Sequence, residues 1–192
     1  MHKIVLASQS PRRKQLMEAA ELDFDIIIAD VDETNPPGMR GEEVPEHLAR
    51  KKADAIQHLA NGRLVIAADT IVLLGDHILG KPYDEAHAIE VLRQLAGNMH
   101  RVVTGVCMQD HEKQYSFSVT TEVYFRQLTE AQITHYVSRY KPFDKAGAYA
   151  IQEWIGMVGI ERINGDYYNV MGLPIGDVVL ALKERFDKKY GG

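Results

Sequence analysis

The sequence predicts an α/β protein, and three observations support this class. Short apolar runs typical of buried strands alternate along the chain with segments of helical composition. The run Leu64 to Leu74 is apolar apart from one polar pair, which is typical of a strand buried on both faces. The segment Gln114 to Phe125 carries an aromatic or β-branched side chain at every second position, which is typical of a half-buried strand.

Length and composition narrow the kind of protein. The 192 residues suffice for one large domain or two closely packed lobes, and 45% hydrophobic with 26% charged residues is ordinary for a globular chain. No apolar run approaches the roughly 20 residues of a membrane span, and no signal-peptide pattern precedes the first strand. We therefore expect a cytoplasmic protein without a membrane partner. The formal net charge of −5 argues against a nucleic-acid partner.

Cysteine and histidine give no sign of a metal centre. Cys107 is the only cysteine, which excludes an intrachain disulfide and a cysteine-based zinc site. It lies in an apolar strand, so we interpret it as a core residue. The eight histidines are scattered, without the close spacing of paired metal ligands.

The first predicted strand, Ile4 to Ala7, leads into a helix whose beginning is marked by three residues. Ser8 and Ser10 can cap a helix, Pro11 suits its first position, and residues Lys14 to Ala20 have helical composition. This arrangement predicts a strand, a tight turn and the N-terminus of a helix within the first twenty residues.

Two arginines lie in the first turn of that helix. Arg12 and Arg13 are placed where the helix dipole disfavours cations, so they are unfavourable unless an anion or a carboxylate compensates them. A bound anion would change this. It could accept hydrogen bonds from the backbone N–H groups, the serine hydroxyls and the guanidinium groups at the same place. The alternative is that both arginines extend into solvent or pair with Asp32 and Glu33.

The next segment adds carboxylates and a lysine. Phe24 to Ile28 predicts a second strand, and the loop that follows it carries acidic residues of the kind that bind hard divalent cations, although loop carboxylates are more often simply solvated. Pro45 to about Ala60 predicts a helix with one apolar face, formed by Leu48, Ala55, Ile56 and Leu59. Lys52 falls within that face, so it either extends its amine to solvent or reaches toward a negative group at the edge of the core.

Asp69 and Thr70 interrupt the most apolar strand of the chain. An ionised carboxylate there is costly unless a cation, a metal or several donors compensate it, so we prefer a functional carboxylate at the rim of the sheet over a turn-forming one. Gly75 and Asp76 predict a hairpin turn, and Lys81 follows on a loop constrained by the adjacent Gly and Pro.

The remaining elements are predicted from periodicity and turn residues. A capping box of Thr129 and Gln132 marks the start of one helix. The sequence further predicts helices over Glu85–Ala96 and Ile175–Phe186, strands over Arg101–Gln109 and Gln114–Phe125, a hairpin of Val158–Ile163 with Tyr167–Val170 around Asn164-Gly165, and a frayed tail over residues 187–192.

A Gly/Ala-rich loop near residue 150 carries two polar side chains. Its small residues allow a ligand to approach the backbone closely. Lys145 supplies a charge, and Gln152 supplies a donor and an acceptor, which suits the edge of a nucleobase. By itself this pattern is of low specificity.

Taken together, the polar segments resemble the Maf family of nucleoside triphosphate pyrophosphatases. The segments occur in the family's order and span nearly the whole chain, so we expect residues 1–192 to form one domain. They are Ser8-x-Ser10-Pro11-Arg12-Arg13, Asp32-Glu33, Lys52-Ala53, Ala68-Asp69-Thr70, Gly80-Lys81-Pro82, Lys145-Ala146-Gly147-Ala148-Tyr149-x-Ile151-Gln152 and Gly172-Leu173-Pro174.

The resemblance implies an architecture and a reaction. The fold would be a curved mixed β-sheet flanked by helices, with two lobes and a deep cleft, similar to that of inosine triphosphatases. The K-A-G-A-Y-x-I-Q form, with Arg12 and Thr70, resembles the branch that hydrolyses dTTP and UTP to the monophosphate and pyrophosphate. A divalent cation, Mg²⁺ or Mn²⁺, and possible homodimers are also implied.

The resemblance also implies roles for some matched positions. Asp69 would be the proton acceptor, and substrate choice would rest on Arg12, Thr70 and Gln152. For the remaining polar positions we add a hypothesis, in which Glu33 and Asp69 are the metal ligands and the phosphates are bound by Ser8, Arg13, Lys52, Lys81 and Lys145. Whether Asp69 acts as a base or mainly as a metal ligand stays open at this point.

Two other functions use the same residues. A nucleotide-binding regulator of cell division would need the cationic groups but not Asp69. A pyrophosphatase for modified nucleotides such as 7-methyl-GTP would share the chemistry and differ in its base pocket. Turnover of a panel of nucleotides separates these alternatives.

Overall fold

A mixed sheet organises the part of the chain that the structure, a computed structural model, describes, namely residues 4–34 and 36–186. Within these residues the strands and helices follow one another as β1 (Ile4–Leu6), α1 (Pro11–Ala19), β2 (Phe24–Ile26), α2 (Val44–Ile56), β3 (Val65–Leu74), β4 (His77–Leu79), α3 (Glu85–Leu95), β5 (Met99–Gln109), β6 (Gln114–Phe125), α4 (Glu130–Tyr140), α5 (Trp154–Gly159), β7 (Ile160–Asn164), α6 (Tyr167–Met171) and α7 (Ile175–Arg185).

The sheet of the described residues has seven strands and is flanked by helices. Six strands follow the order β2-β1-β3-β5-β6-β7, and β4 pairs with β3. β1 is parallel to both β2 and β3, with Val5 paired to Asp25 on one side and to Val65 on the other. The β3–β4 and β6–β7 pairs are antiparallel. The predicted α/β class with a mixed sheet is confirmed.

The chain divides into two compact units. The first contains the described residues of Met1–Asp69, Thr104–Val119 and Gly172–Gly192, and the second contains Thr70–Val103 and Thr120–Met171. Strands β3, β5 and β6 each run from one unit into the other, and β3 does so between Asp69 and Thr70. Whether the chain behaves as one domain stays a prediction.

Small side chains allow close packing in the first unit. Its apolar cluster joins β1, α2, β3 and β5 and consists of Val5, Ala7, Ala49, Ala53, Ile56, Ala60, Val65, Ala67 and Cys107. Gly105 lies so close to the start of α2 that an added Cβ would stand 2.1 Å from the backbone nitrogen of Glu46. Because only glycine fits there, the helix can lie directly against the strand. Cys107 is fully buried, as predicted.

The second unit packs α3 against α4. The predicted capping box is present, since the Thr129 side chain accepts from the backbone of Gln132 and the Gln132 side chain accepts from the backbone of Thr129. Across the two helices, Arg93 binds Glu130 through two hydrogen bonds of 2.7 and 2.9 Å. This contact raises the pKa of Arg93 and lowers that of Glu130.

The predicted hairpin around Asn164-Gly165 is wrong. Its first arm is partly helix α5, and the second arm forms helix α6, while β7 pairs with β6 instead. The reason is local capping, because the Asp166 carboxylate accepts from the backbone N–H groups of Tyr168 and Asn169 and favours a helix over an extended strand.

The apolar face predicted for the second helix is partly wrong. The α-helix ends at Ile56 and continues as a 3₁₀ turn, Gln57–Leu59, whose tighter pitch turns Leu59 outward, so that this side chain is 43% exposed. Ala49 and Ala53 are the buried alanines, and Ala55 is only half-buried. The prediction for residues 187–192 lies outside the described residues.

Candidate active site

The first turn of α1 brings together Ser8, Ser10 and Arg13. Ser10 caps the helix, with its hydroxyl oxygen 3.5 Å from the backbone nitrogen of Arg13, and Pro11 occupies the first helical position as predicted. The buried Ser8 hydroxyl accepts from the backbone N–H of Ser10 and from Nη1 of Arg13, both at 3.2 Å. The guanidinium also donates from Nε to the carbonyl of Gly172 at 2.7 Å.

These contacts fix the Arg13 side chain rather than leaving it to extend into solvent. Burial lowers the pKa of Arg13, and the charges of Asp69 and Glu33 act in the opposite direction, while neighbouring Arg12 lowers it further. An arginine has such a high pKa that it stays charged at neutral pH even so. The start of α1 therefore carries a fixed positive charge. The negative charges of Asp69 and Glu33 act on it and favour its charged form.

The same carboxylates converge on one lysine. Nζ of Lys52 lies 2.6 Å from Oδ1 of Asp69 and 2.8 Å from Oε1 of Glu33. The side chains of Lys52 and Asp69 are only 18% and 15% exposed, whereas Glu33 is 60% exposed. The lysine within the apolar face of α2 thus reaches a negative group at the edge of the core, which is the functional alternative stated above.

A second lysine holds the loop that carries Glu33. Lys51 donates to the backbone carbonyl of Asp32 and lies 3.5 Å from that of Thr34. The Asp32 carboxylate accepts from both the backbone N–H and the hydroxyl of Thr34, and these bonds lower its pKa. Two consecutive lysines of α2 therefore bind the acidic loop. Lys51 binds its backbone and Lys52 binds the Glu33 carboxylate.

The residues present fit a hard divalent cation. Glu33 and Asp69 supply two carboxylates close enough to contact the same ammonium group. Mg²⁺ is commonly held by one or two carboxylates together with substrate phosphates, so this pair matches its ordinary donor set. Within residues 4–34 and 36–186 no group of three or more His, Cys, Asp or Glu side chains is arranged to hold a metal without such a substrate.

The second unit contains the predicted Lys145. Its Nζ lies 2.8 Å from Oδ1 of Asp144 and 3.5 Å from Oε1 of Glu153, and its side chain is only 10% exposed. The other oxygen of Glu153 accepts from the buried hydroxyl of Tyr136. Lys145 is therefore held between two carboxylates, one of which is itself held by a tyrosine.

The backbone of the Gly/Ala loop depends on one glycine. Gly147 has φ +69°, and an added Cβ would stand 2.9 Å from a methyl group of Val72. Its N–H donates to the carbonyl of Gly80 at 3.2 Å, which joins the Lys81 loop to the Lys145 loop. The close contact seen here is with Val72, and approach of a ligand to this backbone stays a prediction.

Four further predicted site residues differ in burial. Thr70 follows Asp69 in β3 and is half-buried. Lys81 and Gln152 are exposed, and in the described part of the chain neither side chain has a hydrogen-bond partner. Arg12 is half-buried in the first turn of α1. The structure therefore gathers Ser8, Arg13, Glu33, Lys52 and Asp69 in the first unit, and it places Lys81, Lys145 and Gln152 on connected or nearby loops of the second.

Sequence reasoning missed two residues of this region. They are Glu153, which directly follows Gln152, and Tyr136, which lies on the buried face of α4. The signal available for Glu153 is its position beside a polar segment. For Tyr136, the signal is a tyrosine on a core face, because a buried hydroxyl needs a partner.

A buried pair lies beneath the same loop. Nε2 of His100 lies 2.7 Å from the hydroxyl of Tyr149, and both rings are buried. Burial lowers the pKa of His100 to about 3 and raises that of Tyr149. Both groups are therefore neutral at physiological pH.

Comparisons with known proteins identify the family of the chain. A family model described as "Maf-like protein" matches residues 3–185. A protein of Bacteroides thetaiotaomicron named dTTP/UTP pyrophosphatase is 47% identical over 185 residues, which cover 95% of this chain and 96% of that protein. A protein of Bacteroides fragilis with the same name is 49% identical over 185 residues, with the same coverage.

Among solved structures, the Ham1 protein of Staphylococcus aureus aligns with 64% of this chain and 71% of its own, at a TM-score of 0.48 and 21% identity. No helix in the described residues is long and apolar enough to cross a membrane. The family model covers almost the full length of the chain. The chain therefore belongs to the Maf family.

Proposed function

We propose that the protein hydrolyses dTTP and UTP to the nucleoside monophosphate and pyrophosphate. The observation that carries the proposal is the convergence of Lys52 on the carboxylates of Asp69 and Glu33. The relatives named dTTP/UTP pyrophosphatase, at 47% and 49% identity, support the choice of substrate.

In the proposed reaction, water attacks the α-phosphorus and the bond between the α-phosphorus and its bridging oxygen breaks. Asp69 accepts the proton of the attacking water, and the electron pair of the broken bond leaves with pyrophosphate. Lys52 holds the Asp69 carboxylate in one orientation. Ser8 and Arg13, which the start of α1 fixes, stabilise negative charge on the phosphates.

A divalent cation would be held by Glu33 and Asp69. When bound, it would neutralise part of the negative charge that develops on the phosphate oxygens. In the proposal, Lys52, Lys81 and Lys145 contribute further positive charge to phosphate binding.

Base selection is proposed for Gln152, Thr70 and Arg12. Uracil and thymine share one edge with an N3–H donor between two carbonyls, so a single amide can bind both. Cytosine offers an acceptor at N3 and an amino group instead. A glutamine amide that is turned over can pair with cytosine as well. Rejection of CTP therefore requires that the Gln152 amide be held in one orientation, whereas rejection of purines depends on the size of the pocket.

The test is pyrophosphate release from dTTP, UTP, CTP, the purine triphosphates and 7-methyl-GTP with Mg²⁺ or Mn²⁺. We expect release from dTTP and UTP, and a loss of about 10² to 10⁴-fold in kcat for Asp69→Asn with nucleotide binding retained. Asp30→Asn is the matched control, because Asp30 is exposed in the same acidic loop. Full activity of Asp69→Asn would refute the mechanism.

The same experiment separates the other two functions. Binding of nucleotides by the wild-type protein without any release would favour the regulator, and release confined to 7-methyl-GTP would favour the modified-nucleotide enzyme. A cytoplasmic location and a homodimer are further proposals, and light scattering of the purified protein measures the second.

A further inference from the structure

The segment that carries Gln152 is held at both ends by one hydroxyl group. The Tyr136 hydroxyl accepts from the backbone N–H of Ala150 at 3.2 Å, and it donates to Oε2 of Glu153. Gln152 lies between these two contacts and its own side chain is exposed. Both the donor and the acceptor capacity of the hydroxyl are therefore used on the residues that flank Gln152.

The tyrosine is itself rigidly placed. Tyr136 is fully buried on α4 beside Ile133 and Val137, and its ring stacks on Tyr140 at 4.9 Å between ring centres. Its position is therefore set by the core of the second unit. A group so fixed can set the position of an exposed loop to which it is bonded.

Glu153 connects this anchor to a charged group. While Oε2 accepts from Tyr136, Oε1 lies 3.5 Å from Nζ of Lys145. Removing the Tyr136 hydroxyl would leave the N–H of Ala150 without this partner, and that nitrogen belongs to a buried residue. The segment would then have to move to satisfy the lost bonds.

We infer that Tyr136 is a positioning residue for substrate specificity, which acts by fixing the backbone of Gln152 through Ala150 and Glu153. The inference rests on the proposed function, because it assigns Gln152 to the base. It does not require Tyr136 to touch the substrate.

Substrate selectivity gives a readout that a purely structural role would not change. Loss of stability reduces the amount of active enzyme equally for every nucleotide, so it cancels in the ratio of kcat/KM for UTP to kcat/KM for CTP. Displacement of Gln152 weakens the contacts that distinguish uracil from cytosine. We expect Tyr136→Phe to lower this ratio by about fivefold or more, the effect of about one hydrogen bond.

Tyr140→Phe is the matched control. Tyr140 stacks on Tyr136, and its hydroxyl has no hydrogen-bond partner among residues 4–34 and 36–186. The substitution removes a tyrosine hydroxyl from the same helix without touching the Gln152 segment. Its UTP-to-CTP ratio should equal that of the wild type.

Substitutions of Glu153 test the same contact without altering the core. Glu153→Ala removes the acceptor and should lower the ratio, whereas Glu153→Gln keeps an oxygen for the Tyr136 hydroxyl and should restore it. The altered charge near Lys145 affects phosphates that UTP and CTP share, so it does not enter the ratio.

The outcomes separate this inference from the proposed function. Wild-type protein that releases pyrophosphate from no nucleotide would refute the proposed function. Wild-type protein that prefers UTP, with unchanged ratios in both Tyr136→Phe and Glu153→Ala, would leave the proposed function intact and overturn the positioning role.

Discussion

Lys52 and Asp69 form an ion pair at the edge of the core of the first unit, with Nζ 2.6 Å from Oδ1 and both side chains mostly buried. Glu33 contacts the same ammonium from a more exposed position. Removing one partner of such a pair leaves the other charge uncompensated, which costs more than the pair itself contributes. The position of the Asp69 carboxylate therefore depends on Lys52.

The first prediction compares two adjacent lysines. Lys52→Met removes the cation that orients Asp69, so we expect kcat/KM for UTP to fall by about 10² to 10³-fold. Lys51→Met loosens only the Asp32–Thr34 loop and should cost less than about tenfold. Steady-state pyrophosphate release measures both. Equal losses in the two variants would contradict a direct role for Lys52.

The second prediction concerns pH and stability. Burial lowers the pKa of His100 from 6.5 to about 3, so the folded protein keeps this imidazole neutral while the unfolded chain takes up a proton below about pH 6.5. The contribution of His100 to the free energy of unfolding is therefore present above pH 6.5 and decreases as pH falls toward 3. The slope approaches about 1.4 kcal/mol per pH unit.

His100→Gln should remove that slope while keeping a hydrogen bond to Tyr149. Urea unfolding between pH 6.5 and 4.5 measures the difference. His58→Gln, at an exposed histidine, is the control and should follow the wild type. A His100→Gln variant with the wild-type pH dependence would show that another group is responsible.

The third prediction concerns Cys107. Its side chain is fully buried, and burial raises the pKa of the thiol to about 12. The thiolate is the reactive form, so iodoacetamide at pH 8 should modify Cys107 only after unfolding, with urea as the trigger. A cysteine introduced by Ser138→Cys, on the exposed face of α4, should react in the folded protein. Mass spectrometry counts the modified sites. Rapid labelling of native Cys107 would contradict its burial.

The fourth prediction separates backbone strain from steric contact. Gly147→Ala meets both a positive φ and Val72, so we expect a loss of about 2 to 4 kcal/mol of stability. Gly62→Ala has a similar φ of +76° but open space around it, and should cost only about 1 kcal/mol. Because Val72 is buried, Val72→Ala is destabilising by itself, so the comparison needs both single variants and the double variant. Gly147→Ala should cost less in the Val72→Ala background than in the wild type. An equal cost in both backgrounds, measured by thermal unfolding, would show that the contact with Val72 does not matter.

Sequence patterns predicted much of the fold because the relevant signals are local. The capping box of Thr129 and Gln132 fixed the start of α4, and the apolar run before Asp69 predicted β3. The failure at Tyr167–Val170 has a local cause as well, since the carboxylate of Asp166 favoured a helix where Asn164-Gly165 indicated a hairpin turn. The turn signal of Asn164-Gly165 and the helix-capping signal of Asp166 lie within three consecutive residues. The periodicity of the sequence does not show which of the two is stronger.

The sequence by itself determined the α/β class, the residue types of the candidate site and, through the order of its polar segments, the family. Tertiary structure decided which of these residues contact each other. Lys52 and Asp69 are 17 positions apart, and Arg13 is 159 positions from the carbonyl of Gly172 that it binds. Such contacts depend on how a helix packs on the sheet and on where a distant segment of the chain comes back to it. Packing of the whole unit sets this arrangement, so spacing along the chain does not specify it.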